Sequence, residues 1–177
     1  MFSGLRAWLS RFRFFVLLAL TYAYFFQGSD PNQSSRFFLT RAIVVRHAPD
    51  ITPDAAYTID KGEKDGKYYS DKAPGISLLA VLPYALMRAT GVAETRSVEH
   101  VELHLLTILL AGIPATFAAW LLLRTLLALD VRDDHASLLV FGYALGTLSF
   151  PYATMFYGHA LAAALVGYVY FAVVDHE

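Results

Sequence analysis

Between residues 136 and 174 the chain runs for 39 residues without an Asp, Glu, Lys or Arg. One unbroken helix of that length would reach roughly 58 Å at about 1.5 Å per residue. A bilayer's hydrocarbon core is roughly 30 Å thick, so the stretch must turn back on itself. It is expected to cross twice, at about 136–153 and 158–174. Residues 105–123 are also free of charge and predict a span at about 103–123. Hydrophobic residues make up 56% of the chain and charged ones 16%, against about a quarter charged in soluble domains. Composition and distribution together imply an integral membrane protein of the all-α, polytopic class.

A first span is expected at about 9–26. Arg6, Arg11 and Arg13 precede an apolar run over 14–26, and the two nearer arginines can snorkel and lengthen it. A cleaved signal peptide is the competing reading. Tyr22, Tyr24, Phe25 and Phe26 stand where a peptidase needs small residues, so a retained helix is expected. Three arginines ahead of it place the amino terminus in the cytoplasm. The 124–135 segment, with Arg124, Arg132 and three aspartates, falls on that same side. Pro114 and Pro151 lie inside the expected spans, where neighbouring helices can satisfy freed carbonyls.

Three regions follow: residues 1–27 as terminus and first span, 28–100 as an external loop, and 101–177 as spans two to four. The loop holds nine Lys and Arg residues, but a loop this long translocates largely regardless of charge. Two juxtamembrane helices are expected in it, at about 34–47 with Ser34 or Ser35 as N-cap, and at about 74–90. The 15-residue apolar run 73–87 suits an interfacial helix better than a span. Between them, residues 60–72 are dense in Gly, Lys and Asp and predict a turn or short hairpin. The net charge of −1 offers nothing for nucleic acid, and the absence of Cys excludes disulfides and thiolate metal sites.

Two polar clusters stand at the expected water–lipid boundary. One is Ser29, Asp30, Asn32, Gln33, Ser34, Ser35 and Arg36. The other runs from Gly66 to Gly75 and includes Tyr68, Tyr69, Asp71 and Lys72. Each sets a carboxylate beside cationic or amide donors. A carboxylate can take a proton from an incoming hydroxyl, and a cation can stabilise charge developing on a leaving phosphate. The plain alternative is a solvated loop whose charges keep it out of the bilayer.

One span, a loop with two surface helices, and the motif Tyr68-Tyr69-Ser70-Asp71-Lys72-Ala73-Pro74-Gly75 resemble the amino-terminal part of GT-C membrane glycosyltransferases. More narrowly, the chain resembles the bacterial members related to protein mannosyltransferases and lipid A aminoarabinose transferases, which would place it in a bacterial inner membrane. Asp71-Lys72-Ala73-Pro74 matches that family's acidic-Lys-Pro-Pro element. Asn32-Gln33 stands where the family has an acidic pair, with Arg41 eight residues beyond Gln33. The resemblance implies transfer of a sugar from a polyprenyl-phosphate donor on the external face, with Lys72 on the phosphate. It implies donor or acceptor contacts for Asn32, Gln33 and Arg36. Asn32 is an amide and cannot act as the family's presumed base, so Asp30 or Asp71 takes that role. Family members have many more spans, so the chain is expected to be an amino-terminal portion or a reduced relative.

Secondary candidates are His159, at an expected outer turn, and Tyr69, which could stack on a sugar or touch a prenyl chain. His100 and His104 stand four apart beside Glu99 and Glu102, but His-Val-Glu-Leu-His is not the order of a metalloprotease, and interfacial anchoring is the expectation. No metal site is indicated, a divalent-metal cofactor is left open, and so is the oligomeric state. Tyr22, Tyr24, Tyr84, Tyr152, Tyr157 and Tyr168 fall near expected span ends and predict an aromatic belt. Competing functions are a non-catalytic membrane subunit or scaffold, and a lipid or solute transporter. The spans carry almost no ionisable side chains, which counts against transport.

Overall fold

The structure is a computed structural model that describes residues 2–28, 30–91 and 99–174, with side chains from residue 12 onward in the first helix and from 101 in the helix that opens at 99. It is mostly helical with one hairpin, and it divides into two compact units. A helical unit comprises Met1–Phe26, Ala111–Thr154 and His159–Glu177, and a loop unit comprises Gln27–Leu110 and Met155–Gly158.

In the helical unit, α1 (Phe2–Tyr24), α6 (Ile113–Ala128), α7 (Asp133–Gly146), α8 (Ser149–Ala153) and α9 (His159–Val174) pack around α6. α6 buries Ala115, Ala118 and Ala119 together with Leu121, Leu123 and Thr125, and α9, which packs on it, buries Ala160 and Ala164. A Cβ placed on Gly167 of α9 would stand 3.7 Å from the Leu121 side chain. Small residues let helix backbones approach closely and gain dispersion contact.

Of the four spans expected, one is a helix long and apolar enough to cross a membrane among the described residues. It is Val101–Ala128, 28 residues long, reaching roughly 42 Å. The described side chains of α1 begin at Phe12, and its described apolar stretch is Phe12–Tyr24; α9 has 16 residues. The expected 136–153 helix is broken at Thr147, which is extended at φ −123° and ψ −176°. A helix through this point would drive the Pro151 ring into the carbonyl four residues back, which is that of Thr147. The break is well bonded: Thr147 Oγ1 donates to the Tyr143 carbonyl at 2.7 Å and accepts from Ser149 N–H at 3.1 Å. The Tyr22 hydroxyl donates to the Ala144 carbonyl at 2.8 Å. Two of the carbonyls that a helix end leaves unpaired are thereby satisfied. Pro114 is accommodated differently. The turn before it, Ile108–Gly112, widens to a π-helix, so the chain adjusts its own backbone where neighbouring helices were expected to supply partners.

In the loop unit, α2 is Pro31–Arg46, α3 is Gly75–Leu79, α4 is Val81–Ala89 and α5 is Glu99–Thr107. The N-cap of α2 is Asp30, whose Oδ1 accepts from Gln33 N–H at 2.7 Å, and Pro31 opens the helix. The expected cap at Ser34 or Ser35 is thus corrected: Asp followed by Pro is the stronger start signal. The helix closes at His47, whose left-handed conformation lets its N–H bond back to Ile43 O at 3.2 Å. Phe37, Phe38 and Leu39 are buried, and the Phe37 ring meets Tyr84 of α4 edge-on at 5.5 Å.

The expected hairpin forms from β1 (Lys61–Lys64) and β2 (Lys67–Ser70), paired antiparallel with Lys61 opposite Ser70. Asp65 and Gly66 join the strands with φ of 52° and 72°, the pair of positive values that a tight two-residue turn requires. The expected 74–90 helix appears as α3 and α4, meeting at Ala80.

The aromatic belt is corrected in part. Tyr22 and Tyr84 are each only 1% exposed, so they are core residues of their units, while Tyr24 and Tyr168 are exposed.

Candidate functional site

The loop unit brings both polar clusters together. The register that sets Lys61 opposite Ser70 puts Asp60 and Asp71 opposite each other just past the strand ends. Like charges across a strand pair repel, and Lys72 occupies the gap. Its Nζ stands 3.2 Å from Asp60 Oδ1 and 3.3 Å from Asp71 Oδ1. Partial burial draws the Lys72 ammonium down, but its bonds to the two carboxylates and their charge outweigh that and hold it above the ordinary lysine value. Lys72 is therefore an ion-bridge residue. Asp71 has the more open carboxylate, with 42% of its side chain exposed against 23% for Asp60.

The second layer is anchored by α2. The Ser35 hydroxyl, fully buried, contacts the Asp60 carbonyl at 2.6 Å and Ser70 Oγ at 2.7 Å, tying the helix to the hairpin. Arg36 donates from Nε to Asn32 Oδ1 at 3.0 Å and from a terminal nitrogen to the Ala73 carbonyl at 3.1 Å. Its guanidinium also lies 5.5 Å from the centre of the Tyr157 ring, a cation–π distance. Partial burial lowers its pKa, while Tyr157, Asp30, Asp60 and Asp71 act in the opposite direction. Arg36 thus sits within the field of three carboxylates.

Asp30 is more heavily engaged. Besides capping α2, its Oδ2 accepts the Tyr157 hydroxyl at 2.7 Å, with Gln33 Nε2 at 3.5 Å. Partial burial, then the bond to Asp30 and that carboxylate's charge, push the Tyr157 phenol far up, so it stays protonated as the donor. Gln33 is buried, donating from Nε2 to the Gly28 carbonyl at 2.7 Å and accepting Phe156 N–H at 2.8 Å. Its amide locks two chain segments together, a framing role.

Asn32 contacts Arg36, and Tyr69 is half-buried opposite Gly62. His159 belongs to the helical unit, exposed at the start of α9 with its ring 4.4 Å from that of Tyr152. Arg41 is taken up by a buried Asp54, with which it forms an ion pair. Ser29 and the side chains of Arg6, Arg11, Glu99 and His100 lie outside the described residues. Among the described residues no three His, Asp or Glu side chains group as a metal site.

Sequence reasoning missed two members. Asp60 was recoverable, because the Asp65-Gly66 turn sets the register that pairs it with Asp71. Tyr157 lies 127 residues from Asp30, and nothing local signals that contact.

No protein-family model, no curated protein and no solved structure matches the chain.

Proposed function

We propose that the chain is an integral membrane protein of the bacterial plasma membrane with a cytoplasmic amino terminus. We propose further that its loop unit forms part of a glycosyltransferase site of GT-C type. The sugar comes from a polyprenyl-phosphate donor at the external face. The observation that carries this reading is Lys72 bridging Asp60 and Asp71. A compact ammonium matches a phosphate as a point charge, and a more open carboxylate adjoins it. Asp71 is the base that takes the acceptor hydroxyl's proton. Lys72 leaves its carboxylates to meet the donor phosphate as the glycosidic bond to that phosphate breaks. Arg36 holds the α2–Ala73 frame around them. Asp30 is the weaker choice of base, since the helix cap and Tyr157 already occupy both of its oxygens.

The test is transfer of a lipid-linked sugar by membranes carrying the chain. Asp71→Asn is expected to lower the rate at least a hundredfold and Lys72→Ala by a similar factor, with Asp30→Asn milder. Full activity in both Asp71→Asn and Lys72→Ala removes the assignment. Topology is checked separately: the chain has no native Cys, so Lys64→Cys should react with an impermeant thiol reagent added outside intact cells.

A second reading, a non-catalytic membrane subunit or scaffold, draws support from the saturation of Asp30, Gln33 and Arg36 by internal partners. On that reading Lys72→Ala lowers thermal stability and leaves transfer by a partner enzyme unaffected.

A further inference from the structure

A groove of about 590 Å³ runs between α1 and α6 of the helical unit. Ile113, Phe117, Trp120 and Arg124 line it from α6, at spacings that keep them on one helix face. Phe12 and Ala19 line it from α1. Phe12, Ile113 and Phe117 are exposed, so α1 leaves much of this apolar face uncovered. Between Ile113 and Arg124 the helix rises roughly 17 Å at about 1.5 Å per residue, about half of the roughly 30 Å hydrocarbon core. On the proposed placement the groove is one leaflet deep, with Arg124 at its cytoplasmic end.

The second observation is a set of donors without acceptors. The Arg124 guanidinium lies 5.5 Å from the centre of the Trp120 ring and 5.4 Å from that of Phe171, and Trp120 stacks on Phe117 at 5.5 Å. Such ring contacts hold a guanidinium without consuming its N–H groups. Among the described residues, neither the Arg124 side chain nor the Trp120 indole N–H has a hydrogen-bond or ion-pair acceptor. Thr116, also in the lining, donates its hydroxyl to the Gly112 carbonyl at 3.0 Å. No carboxylate stands among the described lining residues. This lining answers an anion joined to an apolar tail, and it offers nothing to an ammonium head group.

We propose that this groove binds an anionic phospholipid of the cytoplasmic leaflet. One acyl chain lies along α1 and α6, and the phosphate is taken by Arg124 and the Trp120 N–H. A guanidinium grips phosphate oxygens through paired N–H groups, and the cytoplasmic leaflet is rich in anionic lipid. This binding rests on the proposed membrane placement and not on the transferase reading.

The experiment follows the emission of Trp120 in the full chain. The sequence has two tryptophans, so Trp8→Phe leaves Trp120 alone, and every variant is made on that background. The protein is placed in nanodiscs of one phosphatidylglycerol–phosphatidylcholine composition. Bromine, which quenches an indole on contact, is carried on the acyl chains of one lipid or the other at equal mole fraction. Brominated phosphatidylglycerol is expected to quench Trp120 at least twofold more than brominated phosphatidylcholine. Arg124→Gln should erase that preference. Ala19→Phe, which narrows the groove and leaves Arg124 in place, should at least halve it. Equal quenching by the two lipids overturns the proposal, as does an undiminished preference in either variant. Quenching by neither, in a chain that stays with membranes through an alkaline carbonate wash, identifies a polypeptide as the occupant and overturns it too. Release of the chain by that wash overturns the membrane placement itself, and the lipid site with it.

Discussion

The helical unit and the loop unit are held together by different chemistry. The buried cluster of the helical unit is Leu18, Tyr22, Val140, Leu123 and a set of alanines. Its described ion pair, Arg132–Asp134, is exposed. The loop unit buries Gln33, Ser35, Thr40, Asp54 and Ser77 among its phenylalanines. It ties its segments with directional bonds such as Ser35 to Asp60 and Gln33 to Phe156. Close packing is non-directional, whereas hydrogen bonds fix particular atoms. The region that fixes atoms is the one that holds the candidate site.

Four perturbations probe this difference, each read as an apparent unfolding midpoint in detergent. The largest effect is expected from Asp54→Ala, which strands the Arg41 charge in the loop unit. Removing one partner of a buried pair costs about 3 kcal/mol or more, and an unchanged midpoint would show that the pair contributes nothing. In the helical unit, Ala119→Leu puts a large side chain into a fully buried site and should cost about 2 kcal/mol through overpacking. A neutral outcome there would mean that α6 and its neighbours are loosely packed. Tyr22→Phe, which leaves the Ala144 carbonyl without its donor, is expected to cost about 1 kcal/mol. If it costs more than Ala119→Leu, the helical unit depends on directional bonds after all.

The smallest effect is in pH dependence. The Lys72 pKa is raised in the fold, so its bridge contributes fully below the unfolded lysine value of about 10.4. That contribution is lost as pH rises through the higher folded value. The midpoint difference between wild type and Lys72→Met should hold at neutral pH and shrink in strong alkali. A difference that persists unchanged there would locate the role of Lys72 in its alkyl stem.

How much was readable beforehand varies by region. The hairpin was legible because Asp65-Gly66 is a local signal with few alternatives. The α2 helix is legible in the sequence, but it starts at Asp30-Pro31 and not at the Ser34 or Ser35 cap that the serines suggest. The charge-free run after Ala136 announced apolar helices, yet hydropathy does not register the clash that Pro151 imposes on Thr147, and the span count suffered for it. Asp71, Lys72 and Arg36 were visible in the motif and its spacing. Asp60 needed the strand register and Tyr157 needed the tertiary fold. Buried tyrosines such as Tyr22 and Tyr84 were misread because an amphipathic ring suits a core with a polar partner as well as it suits an interface.

If the chain sits in a bilayer as proposed, the break at Thr147 has a consequence for the surrounding lipid. The 14 residues of α7 rise roughly 21 Å, about two thirds of a hydrocarbon slab. On the proposed placement, backbone unwinds at a depth where water is scarce. Exposed amides there would draw a dimple of water inward or pinch the leaflet toward the chain. The hydroxyls of Tyr22 and Thr147 quench that demand from within the protein, so the leaflet around this helix can keep close to its resting thickness. A Tyr22→Phe, Thr147→Val pair would therefore be felt first by the lipids, as local thinning.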